Sequence, residues 1–258
     1  SFEQACTLPI LWCTIRLALG ECVQLQASRR ILIHATTGGV GMVALELAHF
    51  VGAAASGSVS RPSKVVHVKT CGVVFATSSR DAVTFVLGTA ACLAGWRLDA
   101  ALSTLTKAFI PTALAFISDE GRYLEVGKNN IWSEARQAMA SMSSPFRLVA
   151  ADYESAERTM RRLRHLAQWV SAGIMHSLPL STFQFETAAM VRAFDELRRG
   201  DHIGRYVATI ADAVAFSTFG LQPNDTSASI TLLRSSPEAC MPPVGAPQQH
   251  QDGSRMTR

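Results

Sequence analysis

Five short apolar runs, each parted from the next by a helix-length segment, constrain this chain more than any other feature. They are Arg30–His34, Ala53–Val59, Gly72–Ala76, Leu98–Leu102 and Gly121–Val126. Strands joined through helices become parallel neighbours by right-handed crossovers, and the helices cover both faces of the sheet. The intervening stretches fit: Met42–Phe50 is amphipathic, Ser60-Arg61-Pro62 opens a helix with proline near its first turn, and another helix spans about Lys107–Ile117. The fold class is therefore α/β, a doubly wound parallel sheet. With 48% apolar residues in 258, the chain can build a core of that size.

The flanks are less regular. Phe2–Leu19 has apolar residues at helical spacing, broken at Pro9 and stopping at Gly20. Past Trp132 come a sixth strand over Phe146–Val149 and a long helix over Tyr153–Ala172. A strand, helix, strand series follows over Leu178–Phe185, Thr187–Arg199 and Ile203–Ile210. From Ala211 the chain is rich in Ser, Pro, Thr and Gln, and reads as a disordered extension or linker. The organisation is a lead-in over 1–20, a nucleotide-binding domain over 21–177, a returning segment over 178–210 and a tail over 211–258.

Several function classes fall away. The net charge of +4 is spread out, and its one cluster (Arg158, Arg161, Arg162, Arg164) reads as a solvated helix face, so no nucleic acid is expected. The longest uncharged run, Ala82–Trp96, is short for a bilayer, and no membrane span is expected. Cys6, Cys13, Cys22, Cys71, Cys92 and Cys240 form no CxxC pair and have no histidine at zinc spacing. They read as core or boundary thiols in a reducing compartment, with no metal expected. No GxSxG or HExxH pattern points to a hydrolase. The chain opens on Ser1 without a basic-then-apolar leader, and reads as an excised piece of a cytoplasmic or organellar-stroma protein.

The sharpest local signal is Ala35-Thr36-Thr37-Gly38-Gly39-Val40-Gly41, directly after the first strand and opening a helix. Glycines there let the backbone turn tightly and approach a pyrophosphate, while the helix N-terminus offers free N–H groups and a positive dipole end. The spacing departs from GxGxxG, with Ala35 where the first glycine would stand. Between a strand and a helix, the turn reads as a dinucleotide site of Rossmann type; the plainer reading is a tight turn without a ligand.

The end of the second strand selects the coenzyme. An NAD site usually carries an acid there for the ribose 2′-hydroxyl. No acid lies between Glu46 and Asp81; Ser58, Ser60, Arg61, Ser63 and Lys64 stand there instead. Hydroxyls and cations suit a 2′-phosphate, so NADPH is favoured over NADH. The alternative for Arg61 and Lys64 is an exposed helix start, where cations are slightly unfavourable.

The run Ile31–Ala48 resembles the cofactor turn of enoyl reductase domains of polyketide and fatty acid synthases and of their zinc-independent quinone oxidoreductase relatives, all medium-chain reductases. Ser1–Pro9, Ser78-Ser79-Arg80-Asp81, Gly121–Lys128 and His202-Ile203-Gly204-Arg205 resemble the same family in the same order. The likeness spans about residues 1 to 210.

That resemblance implies roles. Thr37, Gly38, Gly39, Val40 and Gly41 would line the pyrophosphate; Ser58, Arg61 and Lys64 would meet the 2′-phosphate, with Arg80 helping. Ser103-Thr104-Leu105 stands where the family has Asn-Ser-Leu near the nicotinamide. Gly127 and Lys128 match the family's Gly-Lys, and His202 and Gly204 its His-Ile-Gly, with Arg205 in place of lysine. Lys64 and Asp81 match residues proposed to assist protonation, although Asp81 also reads as a helix cap and Lys64 as an exposed side chain. The implied activity is NADPH-dependent reduction of an enoyl thioester borne on an acyl carrier, beside other synthase domains. A β-rich substrate domain would precede Ser1, and residues 178–210 would be the return to it. A stand-alone quinone or alkenal reductase, or a degenerate nucleotide-binding scaffold, are the alternatives.

Overall fold

The computed structural model describes residues 1–105, 108–127, 132, 133, 135, 136, 139 and 146–210. Its centre is a parallel sheet of β1 (Arg30–Ile33), β2 (Ala54–Val59), β3 (Ala76–Ser78), β4 (Leu98–Ser103), β5 (Ile117–Glu125) and β6 (Phe146–Leu148). The strand order is β3-β2-β1-β4-β5-β6, so the direction of winding reverses between β1 and β4. Helices α3 (Gly39–Phe50), α4 (Ser63–Thr70), α5 (Ala82–Leu93) and α6 (Phe109–Leu114) make the connections. This is the doubly wound sheet expected from the apolar runs.

Each strand feeds two cores because alternate side chains leave opposite faces. Ile31 and Ile33 of β1 join Ala100 and Leu102 of β4 in one cluster with Val43, Ala44 and Leu47 of α3. Leu32 and Ala101 join Phe85, Ile110 and Tyr123 in the other. A sheet covered on both sides favours apolar side chains on both faces of its central strands, which is why β1 reads as an unbroken apolar run.

Several features depart from expectation, among them the fifth strand, which starts at Ile117 and not Gly121. The third strand was expected over Gly72–Ala76, yet β3 itself spans Ala76–Ser78, with Val74 N–H and Phe75 O already bonded to β2 at Ala55 O and Gly57 N–H. Val73 N–H donates to Val68 O, and Gly72 has φ +83°, so the turn leaving α4 takes up the first half of that run. The opening segment forms α1 (Phe2–Ala5) and α2 (Pro9–Ile15), but the helix does not stop at Gly20. It continues as a π-helical stretch over Arg16–Cys22. Finally, the arginine helix α7 (Ala156–Ser171) leaves Arg158, Arg161 and Arg164 exposed but buries Arg162. The Arg162 guanidinium donates to both Glu21 oxygens at 2.8 and 2.7 Å and to Glu154 at 3.1 Å. Its carbonyl accepts from the indole N–H of buried Trp12 at 3.0 Å.

Residues Phe2–Cys22 are long and apolar enough, by length and composition, to cross a membrane. Trp12, Ile15, Ala18 and Leu19 are nevertheless wholly buried in the first core cluster, as in a core helix. The returning segment builds β7 (Leu180–Gln184), α8 (Thr187–Arg199) and β8 (Arg205–Thr209), with β7 and β8 a parallel pair. Just before β8, Gly204 N–H donates to Thr37 O at 2.9 Å, which brings the end of the segment onto the glycine turn.

Candidate functional site

The turn between β1 and α3 sits at the reversal of winding, where an open sheet leaves a crevice beyond its strand ends. Ala35, at the first glycine position of the fingerprint, has φ +50°, a left-handed conformation that costs an alanine about 1–2 kcal/mol. Thr36 is fully buried and ties the turn down, its hydroxyl donating to Ile33 O at 2.8 Å and to Ser58 O at 3.2 Å. A Cβ on Gly41 would stand 2.6 Å from Ala35 O and from Thr36 Cα, so this glycine is demanded by backbone packing. Gly39 faces Leu11 and Arg205, not the crevice. At Gly38 no side chain caps α3 and the first turn carries no acid, which leaves the helix dipole open to an anion.

Beside this helix start lies a cavity of about 290 Å³, lined among others by Thr37, Gly38, Ser60, Lys64, Arg80, Leu105 and His202. It gathers groups from the glycine turn, the end of β2, the β3–α5 loop, the end of β4 and the returning segment. Thr37, Gly38, Lys64, Arg80, Leu105 and His202, to which the resemblance gives site roles, meet here; Ser60, Ser79 and Gly200 join them.

The cations do not stand free. Lys64 is buried, and its ammonium donates to Gly200 O at 2.7 Å and His202 O at 2.6 Å. Burial holds it below the ordinary lysine range; Asp201 opposes this, while Arg80 and Arg61 reinforce it. Arg61 forms an ion pair with Asp201. Ser58, expected at the 2′-phosphate, lies under the turn: its hydroxyl meets His34 Nδ1 at 3.0 Å and accepts Ala35 N–H at 3.2 Å. Ser60, two residues on, lines the cavity where Ser58 does not. Asp81 is exposed and caps α5, accepting Thr84 N–H at 2.7 Å, and these bonds lower its pKa. It does not line the cavity.

Ser103 is buried and turns back on Leu105, accepting its N–H at 3.3 Å, with Thr104 partly buried between them. Gly127 N–H donates to Glu125 Oε1 at 2.7 Å; Lys128 lies outside the described residues. His202 packs its ring against Tyr206, with Nδ1 buried and unpartnered among the described residues. Gly204 has φ +79°, and a Cβ there would meet Pro179 O at 1.9 Å, so no other residue fits.

Sequence reasoning missed Glu125, which is buried at the end of β5 and receives the Tyr123 hydroxyl at 3.0 Å. Burial pushes its carboxyl up to about 7, from 4.5 when unfolded. Stability from this group is fully present below pH 4.5 and is lost as pH rises through about 7. At about 1.4 kcal/mol per pH unit, Glu125→Gln should gain on the wild type by up to about 3 kcal/mol across that window. Urea unfolding of both proteins from pH 4.5 to 8 measures the difference; a constant offset would contradict it.

Comparison with known proteins bears on family and fold. The profile of the family described as zinc-binding dehydrogenase matches residues 73–207. A phenolphthiocerol/phthiocerol polyketide synthase of Mycobacterium tuberculosis is 29% identical over 81% of this chain, which spans 10% of that protein. Pikromycin polyketide synthase component PikAII of Streptomyces venezuelae is 26% identical over 88%, spanning 6% of it. Among solved structures, CurK enoyl reductase superposes with a TM-score of 0.75 at 26% identity, covering 82% of this chain and 63% of that one. The nucleotide-binding subdomain of the enoylreductase domain of PpsC from Mycobacterium tuberculosis superposes with a TM-score of 0.59 at 26% identity, covering 66% and 97%. Among the described residues, no group of three His, Cys, Asp or Glu is placed to hold a metal, so the zinc in the family's description finds no donor set there.

Proposed function

The chain belongs to the zinc-binding dehydrogenase family, and from that premise we propose that it is the nucleotide-binding part of an NADPH-dependent enoyl reductase. Its substrate would be the α,β-double bond of an enoyl thioester borne on an acyl carrier, and its neighbours the other domains of a polyketide or fatty acid synthase. The names of the relatives support this setting: they are polyketide synthases, and the superposing structures include enoyl reductase domains. Because the chain spans a tenth or less of those two synthases, activity, substrate and partners are inferred for a larger protein.

The observation that carries the reading is the uncapped N-terminus of α3 opening onto a cavity edged by Ser60 and Arg80. Backbone N–H groups of the Gly38–Gly41 turn would hold the pyrophosphate. Ser60, Arg61 and Arg80 would meet the 2′-phosphate, and Ser103–Leu105 would border the nicotinamide. NADPH supplies a hydride when bound. Lys64 serves this site by holding the Gly200–His202 backbone in place. The proton-related role implied for Lys64 and Asp81 forms no part of the proposal, because one is held on two carbonyls and the other caps a helix.

Thermal unfolding of the chain with NADPH tests the reading. At a hundredfold excess over Kd, ligand binding stabilises a protein by about 2.7 kcal/mol. NADH at equal concentration should stabilise less, and Arg61→Glu should weaken NADPH about tenfold while sparing NADH. No shift at millimolar NADPH would leave only a scaffold with this fold.

A further inference from the structure

We propose that the Asp201 carboxylate stands in for the coenzyme's 2′-phosphate on Arg61, and so sets how strongly this chain prefers the phosphorylated coenzyme. The inference rests on the cofactor reading above and adds a residue to it.

Residues 200–204 form a strap fastened at both ends. Gly200 leaves α8 with φ +69°, and Gly204 enters β8 with φ +79° and its N–H on Thr37 O. Between those points the strap lies across the cluster at the end of β2. Ser60 Oγ donates to Gly200 O at 3.0 Å, and the Lys64 ammonium bridges Gly200 O and His202 O. The Arg80 guanidinium lies so close that a Cβ on Gly200 would be 2.5 Å from Nη2. Arg61 completes the set through its ion pair with Asp201.

Lys64 is therefore committed to backbone carbonyls, which have no charge to give up. Arg61 is held differently: its partner is an anion on a half-exposed side chain of the strap, between the cavity-lining Gly200 and His202. Among the described residues, Asp201 is the one acid paired with any of Arg61, Lys64 and Arg80, so three cations face one carboxylate. That surplus still attracts a phosphate dianion, but the dianion must displace Asp201 from Arg61 or sit beside it against like-charge repulsion. Either way the carboxylate opposes the 2′-phosphate and has no such effect on a ligand that lacks it.

Calorimetric titration of the full chain with adenosine 2′,5′-bisphosphate and with AMP, which differ only in the 2′-phosphate, tests this. Removing one charge a few ångströms from a phosphate in a screened setting should tighten the bisphosphate about three- to tenfold in Asp201→Asn, leaving AMP unchanged. Asp201→Ala removes the same charge and should show the same gain; a gain confined to one variant would assign it to the new side chain and overturn the proposal. An equal gain for AMP would mean a loosened strap, and also overturns it. Bisphosphate binding unaltered or weakened by both substitutions overturns it while the cofactor reading stands. Failure of wild type and variants to bind bisphosphate or NADPH would remove the cofactor reading too.

Discussion

Alanine at Gly41 should strip this protein of dinucleotide binding and lower its melting temperature by several degrees. The added methyl would lie 2.6 Å from both Ala35 O and Thr36 Cα and 2.8 Å from Thr36 C, all backbone atoms. No rotamer change relieves such a contact, so the turn must open against the Thr36 hydroxyl bonds to Ile33 O and Ser58 O. Overpacking of this kind costs about 1–3 kcal/mol, which for a chain of this size is a fall of roughly 2–12 °C. NADPH affinity should fall at least tenfold, since each 1.4 kcal/mol of lost positioning is about a decade. Gly38→Ala is the control. Its Cβ would come no nearer than 3.3 Å to Ala35 O, at an ordinary φ of −80°, and the loss should be slight. Melting curves and NADPH titrations of both variants decide it; full binding by Gly41→Ala would remove the turn from the site.

Acid should unfold this protein early, through one imidazole. His34 is buried against Phe85, with Nδ1 on Ser58 and no partner for Nε2 among the described residues. Burial depresses its pKa from 6.5 to about 3. The unfolded chain therefore takes up a proton that the folded one refuses. The resulting stability is fully present above pH 6.5 and is lost as pH falls toward 3. The loss amounts to as much as about 4–5 kcal/mol at 1.4 kcal/mol per unit. Glu125 works the other way between pH 4.5 and 7, so the two nearly cancel around pH 5.5 and His34 acts alone below pH 4.5. In His34→Gln, which keeps a polar partner for Ser58 but does not titrate, the wild-type advantage should shrink steadily below pH 6.5. Parallel unfolding curves for the two proteins down to pH 4 would refute this.

These residues show where sequence reading succeeds and stops. Ile31-Leu32-Ile33 could be read as a doubly covered strand, because consecutive large apolar residues send side chains to both faces and both must be buried. The helix over Thr187–Arg199 was legible to its ends, since Gly200 marks a left-handed stop. The site divided by range. The glycine turn is local and was recognised, even though Ala35 replaces its first glycine by accepting a left-handed backbone. Of the two hydroxyls named after β2, Ser58 is spent on His34 and the Ala35 N–H and Ser60 lines the cavity, a division that depends on contacts with β1 and its turn.

By itself, then, the order of residues determined the parallel winding, the glycine-rich turn after β1 and a cluster of cations and hydroxyls after β2. Those depend on interactions among residues a few positions apart. Only the tertiary structure decided what the cations hold: Lys64 meets carbonyls 136 and 138 residues away, and Arg61 meets Asp201. Charge pairing depends on distance and desolvation in space, and neither is written in the spacing of residues along a chain.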